Sequence, residues 1–122
     1  MSTLAVALTG NPNTGKSTIF NALTGARQKI GNWPGVTVDK KIGHTHYKGR
    51  AISIVDLPGT YSINARSPEE KIVIDYLTNT KLDLVLNVVD SSNIERNLFL
   101  TVQLLEKGIP LLIDLNMQDD AQ

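Results

Sequence analysis

Eight consecutive residues, Gly10-Asn11-Pro12-Asn13-Thr14-Gly15-Lys16-Ser17, carry the pattern Gly-x-x-x-x-Gly-Lys-Ser. That spacing suits a polyphosphate. Small residues let the backbone curl so that successive N–H groups point inward at a helix start, and Lys16 adds a point charge for the β and γ oxygens. The Ser17 hydroxyl is the kind of ligand magnesium takes, an ion that keeps several waters and few protein oxygens. Asp56-Leu57-Pro58-Gly59 supplies a carboxylate that can hold the same magnesium through water, and Gly59 leaves backbone room beside a γ-phosphate. In Asn116-Met117-Gln118-Asp119, the Asp119 carboxylate can accept from the ring N–H and exocyclic amine that distinguish guanine from adenine, and Asn116 can satisfy the other edge. Adenine would leave those groups unpaired, a penalty that can reach about 10⁴ in selectivity. Each run taken alone is a common turn; their order along the chain makes them a GTP/GDP site.

Such a site needs strands and helices in a set order. Leu4 to Thr9 reads as a buried strand ended by Gly10 and Asn11-Pro12, and Ile19, Phe20 and Leu23 recur at helical spacing from Lys16 until Gly25 stops them. Gln28 to Thr37 holds two glycines, a proline and the only tryptophan without a clear period, so an irregular loop is expected there. Val38 to Tyr47 and Ala51 to Asp56 flank Lys48-Gly49-Arg50 as two antiparallel strands. After a second irregular stretch, Leu57 to Arg66, Ser67 and Pro68 read as N-cap and first helical residue, with Glu69 and Glu70 in an acidic first turn and the helix running to about Tyr76 or Leu77. Leu82 to Val89 is an apolar run suited to a strand covered on both faces, ended by Asp90. Glu95 to Lys107 puts Leu98, Val102 and Leu105 on one helical stripe, with Gly108 as cap, and Pro110 to Leu115 is one more strand. The expected order, β-α-β-β-α-β-α-β, argues a mostly parallel α/β sheet flanked by helices, in a single domain spanning residues 1–122.

Composition narrows the classes. Twelve basic and twelve acidic residues give a formal net charge of zero, so no basic field argues for nucleic acid or an anionic membrane surface. The chain has no cysteine, which excludes disulfides and thiolate metal sites and fits the cytosol. No apolar run approaches the roughly 20 residues that span a bilayer, so a soluble fragment is expected. His44 and His46 share a face of one strand, but with no third ligand in view a solvated surface is the simpler reading.

With these elements in order, the chain resembles a translation-factor-type small GTPase domain of Ras-like fold. More narrowly it resembles the N-terminal G domain of bacterial ferrous iron transport protein B. Besides the phosphate loop through Thr18, the resemblance rests on Gly31-Asn32-Trp33-Pro34-Gly35-Val36-Thr37-Val38, Asp56-Leu57-Pro58-Gly59-Thr60-Tyr61-Ser62, Asn87-Val88-Val89-Asp90, Glu95-Arg96-Asn97-Leu98 and Gln103-Leu104-Leu105-Glu106. It implies nucleotide contacts from Gly10 through Thr18, from Gly35 and Thr37, from Asp56, Leu57, Pro58 and Gly59, and from Asn116, Met117 and Asp119. It also implies magnesium on Ser17, Thr37 and Asp56, and catalysis through Asn13, Lys16, Thr37 and Gly59. In this family and related potassium-stimulated GTPases, a potassium ion occupies the place of an arginine finger. An asparagine at the position of Asn13 is its ligand, with carbonyls of the first switch loop, here Gly31 and Trp33. For the longer chain the resemblance implies a cytoplasmic-face location at the bacterial inner membrane, a helical regulatory domain and a membrane-spanning pathway for ferrous iron.

The departures matter. Ras-like GTPases place a water-orienting glutamine after the Asp-x-x-Gly glycine, whereas here Thr60 is too short for that task. Asn13 has a plainer reading as a turn residue bonding its own backbone, and Trp33 has one as a loop anchor whose ring packs on the domain. Met117 stands where most GTPases have lysine, so modest affinity and fast exchange are expected. The family's pattern would continue beyond Gln122 with a helix, a base-touching loop, and a last strand and helix. Without these C-terminal elements the last strand is an edge through which an oligomer can form. Two other functions remain open: a nucleotide switch without efficient turnover, and a ribosome-assembly or tRNA-modification GTPase, which the neutral charge disfavours.

Overall fold

The computed structural model describes residues 3–12, 14–64 and 66–116. Its elements are β1 (Leu4–Gly10), α1 (Lys16–Thr24), β2 (Gln28–Asn32), β3 (Asp39–Tyr47), β4 (Arg50–Asp56), α2 (Pro68–Asn79), β5 (Leu84–Asp90), a 3-10 turn (Ser91–Asn93), α3 (Ile94–Glu106) and β6 (Leu111–Asn116). The strands form one sheet in the order β2-β3-β4-β1-β5-β6. Strand β1 pairs in parallel with both β4 and β5, and β6 in parallel with β5. Since β3 is antiparallel to both its neighbours, it alone runs against the rest.

Alternation along the central strands creates two cores. Leu8 and Ile54 point to the face covered by α1, where Phe20 is buried against them. Ala7, Val55 and Val85 point to the other face, where Val73 of α2 and Leu100 and Leu104 of α3 close the core. A fully buried aliphatic or aromatic side chain contributes about 1.5–3 kcal/mol, so these two layers fix the edge of β1 from which the phosphate loop leaves.

Local chemistry ends the elements where the residue types demand. Gly25 and Gly108 take positive φ, 59° and 72°, just past α1 and α3. The Ser67 hydroxyl accepts from the Glu70 N–H at 3.1 Å, with Pro68 opening α2. The β3–β4 hairpin is tighter than expected, because Lys48 and Gly49 both adopt positive φ and form a two-residue turn while Arg50 joins β4.

Two expectations are corrected. The Gln28 to Thr37 segment is not irregular throughout: Gln28–Asn32 is an antiparallel strand on β3. Four of its five residues are exposed, so it buries no face that could impose an alternating pattern, and backbone pairing alone makes it a strand. The stripe Leu98, Val102, Leu105 does not face the core either; these residues are 38%, 50% and 53% exposed. Helix α3 buries Asn97, Leu100, Thr101 and Leu104 instead. Asn97 Oδ1 accepts from the Asp90 N–H, and Asn87 Nδ2 of β5 donates to Thr101 Oγ1. These polar partners rotate the helix away from the face that apolar periodicity selects.

Candidate functional site

The phosphate loop joins β1, at the middle of the sheet, to α1. Gly15 stands at the N-cap of α1 with φ 87°, a left-handed conformation that suits glycine, and no side chain caps the helix. The first-turn N–H groups are thereby left for a ligand. Thr14 Oγ1 donates to the Asn11 carbonyl at 3.0 Å and braces the curl from inside. A side chain at Gly10 would put its Cβ 2.8 Å from the Val88 carbonyl oxygen, so the start of the loop must lie bare against β5.

Asn11, Pro12, Gly15, Lys16, Ser17 and Gly59 line a cleft of about 360 Å³. The Lys16 ammonium forms an ion pair with the Asp56 carboxylate, both side chains nearly out of solvent. The first and second motifs, 40 residues apart, therefore meet as a cation and an anion. Two backbone bonds hold the segment after β4 to the end of β1: the Leu57 N–H donates to the Leu8 carbonyl at 3.1 Å, and the Thr60 N–H to the Gly10 carbonyl at 3.0 Å. A Cβ on Gly59 would lie 3.0 Å from Pro12 Cα, so only glycine lets the two segments approach this closely. Thr60 is buried, 4% exposed, which fits its inability to orient a water in the cleft.

Other expected residues are not among those lining the cleft. Thr18 is exposed on α1, and Thr37 and Gly35 are exposed in the connection between β2 and β3. Gly31 is in β2, separated from β1 by two strands, about 14 Å at ordinary strand spacing. The Trp33 ring is buried in the core, edge-on to Tyr76 at 5.6 Å between centroids, with the Lys40 ammonium 4.7 Å from its centroid. Its ring is thus a packing anchor, while its indole N–H is buried with no hydrogen-bond partner among the described residues. Burial also raises the Tyr76 phenol above its ordinary value of 10.0. None of Gly31, Trp33 and Thr37 is among the residues that line the cleft. Asn116 ends β6, opposite Asp90 of β5. Asn13, Met117 and Asp119 lie outside the described residues.

The sequence reading missed residues that hold the segment after Gly59. The Glu70 carboxylate accepts from the N–H groups of Asn64 and Arg66, at 3.2 and 3.0 Å, and from Ser62 Oγ. Gln103 Oε1 accepts from the Ile63 N–H, and its amide donates to Asn64 Oδ1. The Arg96 guanidinium covers the Tyr61 ring at 4.1 Å. Arg96 and Gln103 lie within segments that carry the family resemblance, but no periodicity or spacing singles them out. Among the described residues no three His, Cys, Asp or Glu side chains cluster as a metal site, and no helix is long and apolar enough to cross a membrane.

Comparison with known proteins agrees with this geometry. A family model described as ferrous iron transport protein B matches residues 4–122. The Fe(2+) transporter FeoB of Shigella flexneri is 52% identical over 126 aligned positions, which cover 100% of this chain and 16% of that protein. The Fe(2+) transporter FeoB of Escherichia coli strain K12 is 51% identical with the same coverage. Among solved structures, the cytosolic domain of L. pneumophila FeoB superposes with a TM-score of 0.90 at 49% identity, covering 96% of this chain and 47% of that one. A GDP-bound variant of the S. thermophilus FeoB G domain gives a TM-score of 0.89 at 53% identity, covering 98% and 46%. The shared architecture is the Ras-like P-loop GTPase fold.

Proposed function

The chain belongs to the ferrous iron transport protein B family, and from that premise we propose that it binds GTP and hydrolyses it to GDP and phosphate. The observation that carries this reading is the Lys16–Asp56 ion pair on the wall of a cleft closed by Gly59 and Pro12. A nucleotide triphosphate entering there exchanges one carboxylate for several phosphate oxygens around Lys16, and frees Asp56 to face a cation. Lys16 and the uncapped α1 N-terminus stabilise negative charge that grows between the β and γ phosphates, a form of catalysis by fixed electrostatics. Gly59 presents backbone where the γ-phosphate would lie.

The hydroxyl of Ser17 at the cleft and the carboxylate of Asp56 are hard oxygen donors of the kind magnesium takes, so the residues present fit that ion. When bound, magnesium would neutralise β and γ oxygens. Thr37 joins this set only if its loop moves. Potassium is proposed on Asn13 and on the lack of a glutamine at Thr60; Gly31 and Trp33 are not among the residues that line the cleft.

The chain spans 16% of the length of the curated relatives. Control of ferrous iron uptake, a helical regulatory domain and a membrane pathway are proposals for the longer protein, and assembly through the β6 edge is a proposal for the 122-residue chain. Buried Thr60 favours a second reading, a nucleotide switch without efficient turnover. Single-turnover hydrolysis in magnesium, with equal potassium or sodium, tests all of this. Phosphate release faster in potassium is expected. Equal rates would remove the potassium proposal, and tight binding without release would leave the switch.

A further inference from the structure

After Gly59 the chain must hold its backbone firmly, because a γ-phosphate meets that backbone and not a side chain. Three elements hold it. Thr60 is bonded to the Gly10 carbonyl, Ile63 and Asn64 are held by Gln103, and Asn64 and Arg66 by Glu70. Between Thr60 and Ile63 lies Tyr61, 40% exposed, and its ring contact among the described residues is the Arg96 guanidinium at 4.1 Å. The same Arg96 accepts, through its backbone carbonyl, a bond from Asn11 Nδ2 of the phosphate loop at 3.4 Å. Asn11 is 3% exposed, and among the described residues its Oδ1 has no hydrogen-bond partner. A polar cleft of about 160 Å³ separates the parts, lined among others by Asn11, Thr14, Tyr61, Asp90, Asn93 and Arg96. One residue of α3 therefore touches both halves of the phosphate site.

We infer that Arg96 is a positioning residue for the γ-phosphate: by clamping Tyr61 it holds the Gly59–Thr60 backbone against the phosphate loop, acting through Tyr61 and not on the nucleotide. GDP lacks the phosphate that this backbone meets, so removing the clamp lowers turnover and discrimination between GTP and GDP while leaving GDP affinity alone. The inference rests on the proposed nucleotide site.

The test uses the 122-residue protein with magnesium and potassium, measuring single-turnover GTP hydrolysis and the affinity ratio of a non-hydrolysable GTP analogue to GDP. Arg96→Ala is expected to slow hydrolysis and shrink the ratio by about two- to fivefold, the scale of an exposed cation–π contact, with GDP affinity unchanged. Arg96→Lys, which keeps the charge and loses the flat stack, recovers part of this. Tyr61→Leu reproduces Arg96→Ala, and the double variant is no worse than either single, because one contact is lost once. Arg96→Ala matching the parent in both readouts, weakening GDP equally, or adding fully to Tyr61→Leu overturns the inference. A parent that binds both nucleotides but releases no phosphate overturns the hydrolytic reading alone, and the affinity ratio still decides Arg96. A parent that binds neither overturns both.

Discussion

The phosphate loop and the Gln28–Thr37 segment are both glycine-, asparagine- and proline-rich connections, yet they are held by opposite means. The first leaves the central strand of the sheet, where the Thr14 hydroxyl bonds Asn11, the Val88 carbonyl lies close behind Gly10, and Thr60 and Gly59 approach Gly10 and Pro12 from the side. The second runs along the outermost strand, is exposed at most positions, and is held by pairing with β3 on one side, by the Trp33 N–H bond to the Val38 carbonyl and by one aromatic ring in the core. A preorganised electrostatic site needs the first arrangement, because donors that must be ordered during the reaction lose much of their value. A segment at a sheet edge, paired on one side only, opens at lower cost than one packed from several sides. The unpartnered indole N–H of Trp33 makes that anchor less costly to release, because a buried unsatisfied donor gains a water on exposure.

If this contrast holds, damage to the edge segment should cost stability and damage to the central loop should cost chemistry. Trp33→Ala removes a buried ring and should lower unfolding free energy by about 3–5 kcal/mol in urea titration, with GDP affinity of the folded fraction nearly unchanged. An equal loss of GDP affinity would break the separation. Lys16→Ala should reduce hydrolysis by about 10²–10³-fold in single-turnover assays, since one preorganised donor to the phosphates is lost. Gly59→Ala sits at the junction of loop and switch, and its Cβ meets Pro12 backbone. It should cost about 1–3 kcal/mol of stability by overpacking and slow hydrolysis as well, seen by melting and phosphate release on one sample.

The smallest expected effect concerns pH. The Tyr76 phenol, beside Trp33, has its folded value raised by burial. Its folded form thus holds the proton more tightly than the unfolded chain. The stability it contributes is complete below about pH 10, the unfolded value, and is lost as pH rises through the higher folded value. Tyr76→Phe should flatten that alkaline slope while keeping the ring contact with Trp33. An unchanged slope would mean that the anchor does not titrate.

How much of this was legible depended on whether a feature is local. Gly10 to Ser17, the Ser67 cap, Gly25 and Gly108 could be read directly, since steric freedom and short side-chain bonds act over a few residues. The Asp56-Leu57-Pro58-Gly59 turn could be read as a ligand segment, but not its ion pair with Lys16, which needs β1 and β4 side by side. Strand β2 was illegible because it buries no face. The face of α3 was misread because Asn97 and Thr101 find partners on β5 that an apolar pattern ignores.

The chain by itself determined the phosphate-loop pattern between β1 and α1, since the backbone curl and the helix start depend on residue types in one short run. It also determined the family, through motifs whose order along the chain is part of the pattern. Only the tertiary structure decided that Trp33 is a core anchor, that Gly31 lies on the outermost strand, and that Arg96 bridges the loop and Tyr61. These depend on strand order and helix rotation, which are settled by the summed pairing of distant residues and not by any local preference.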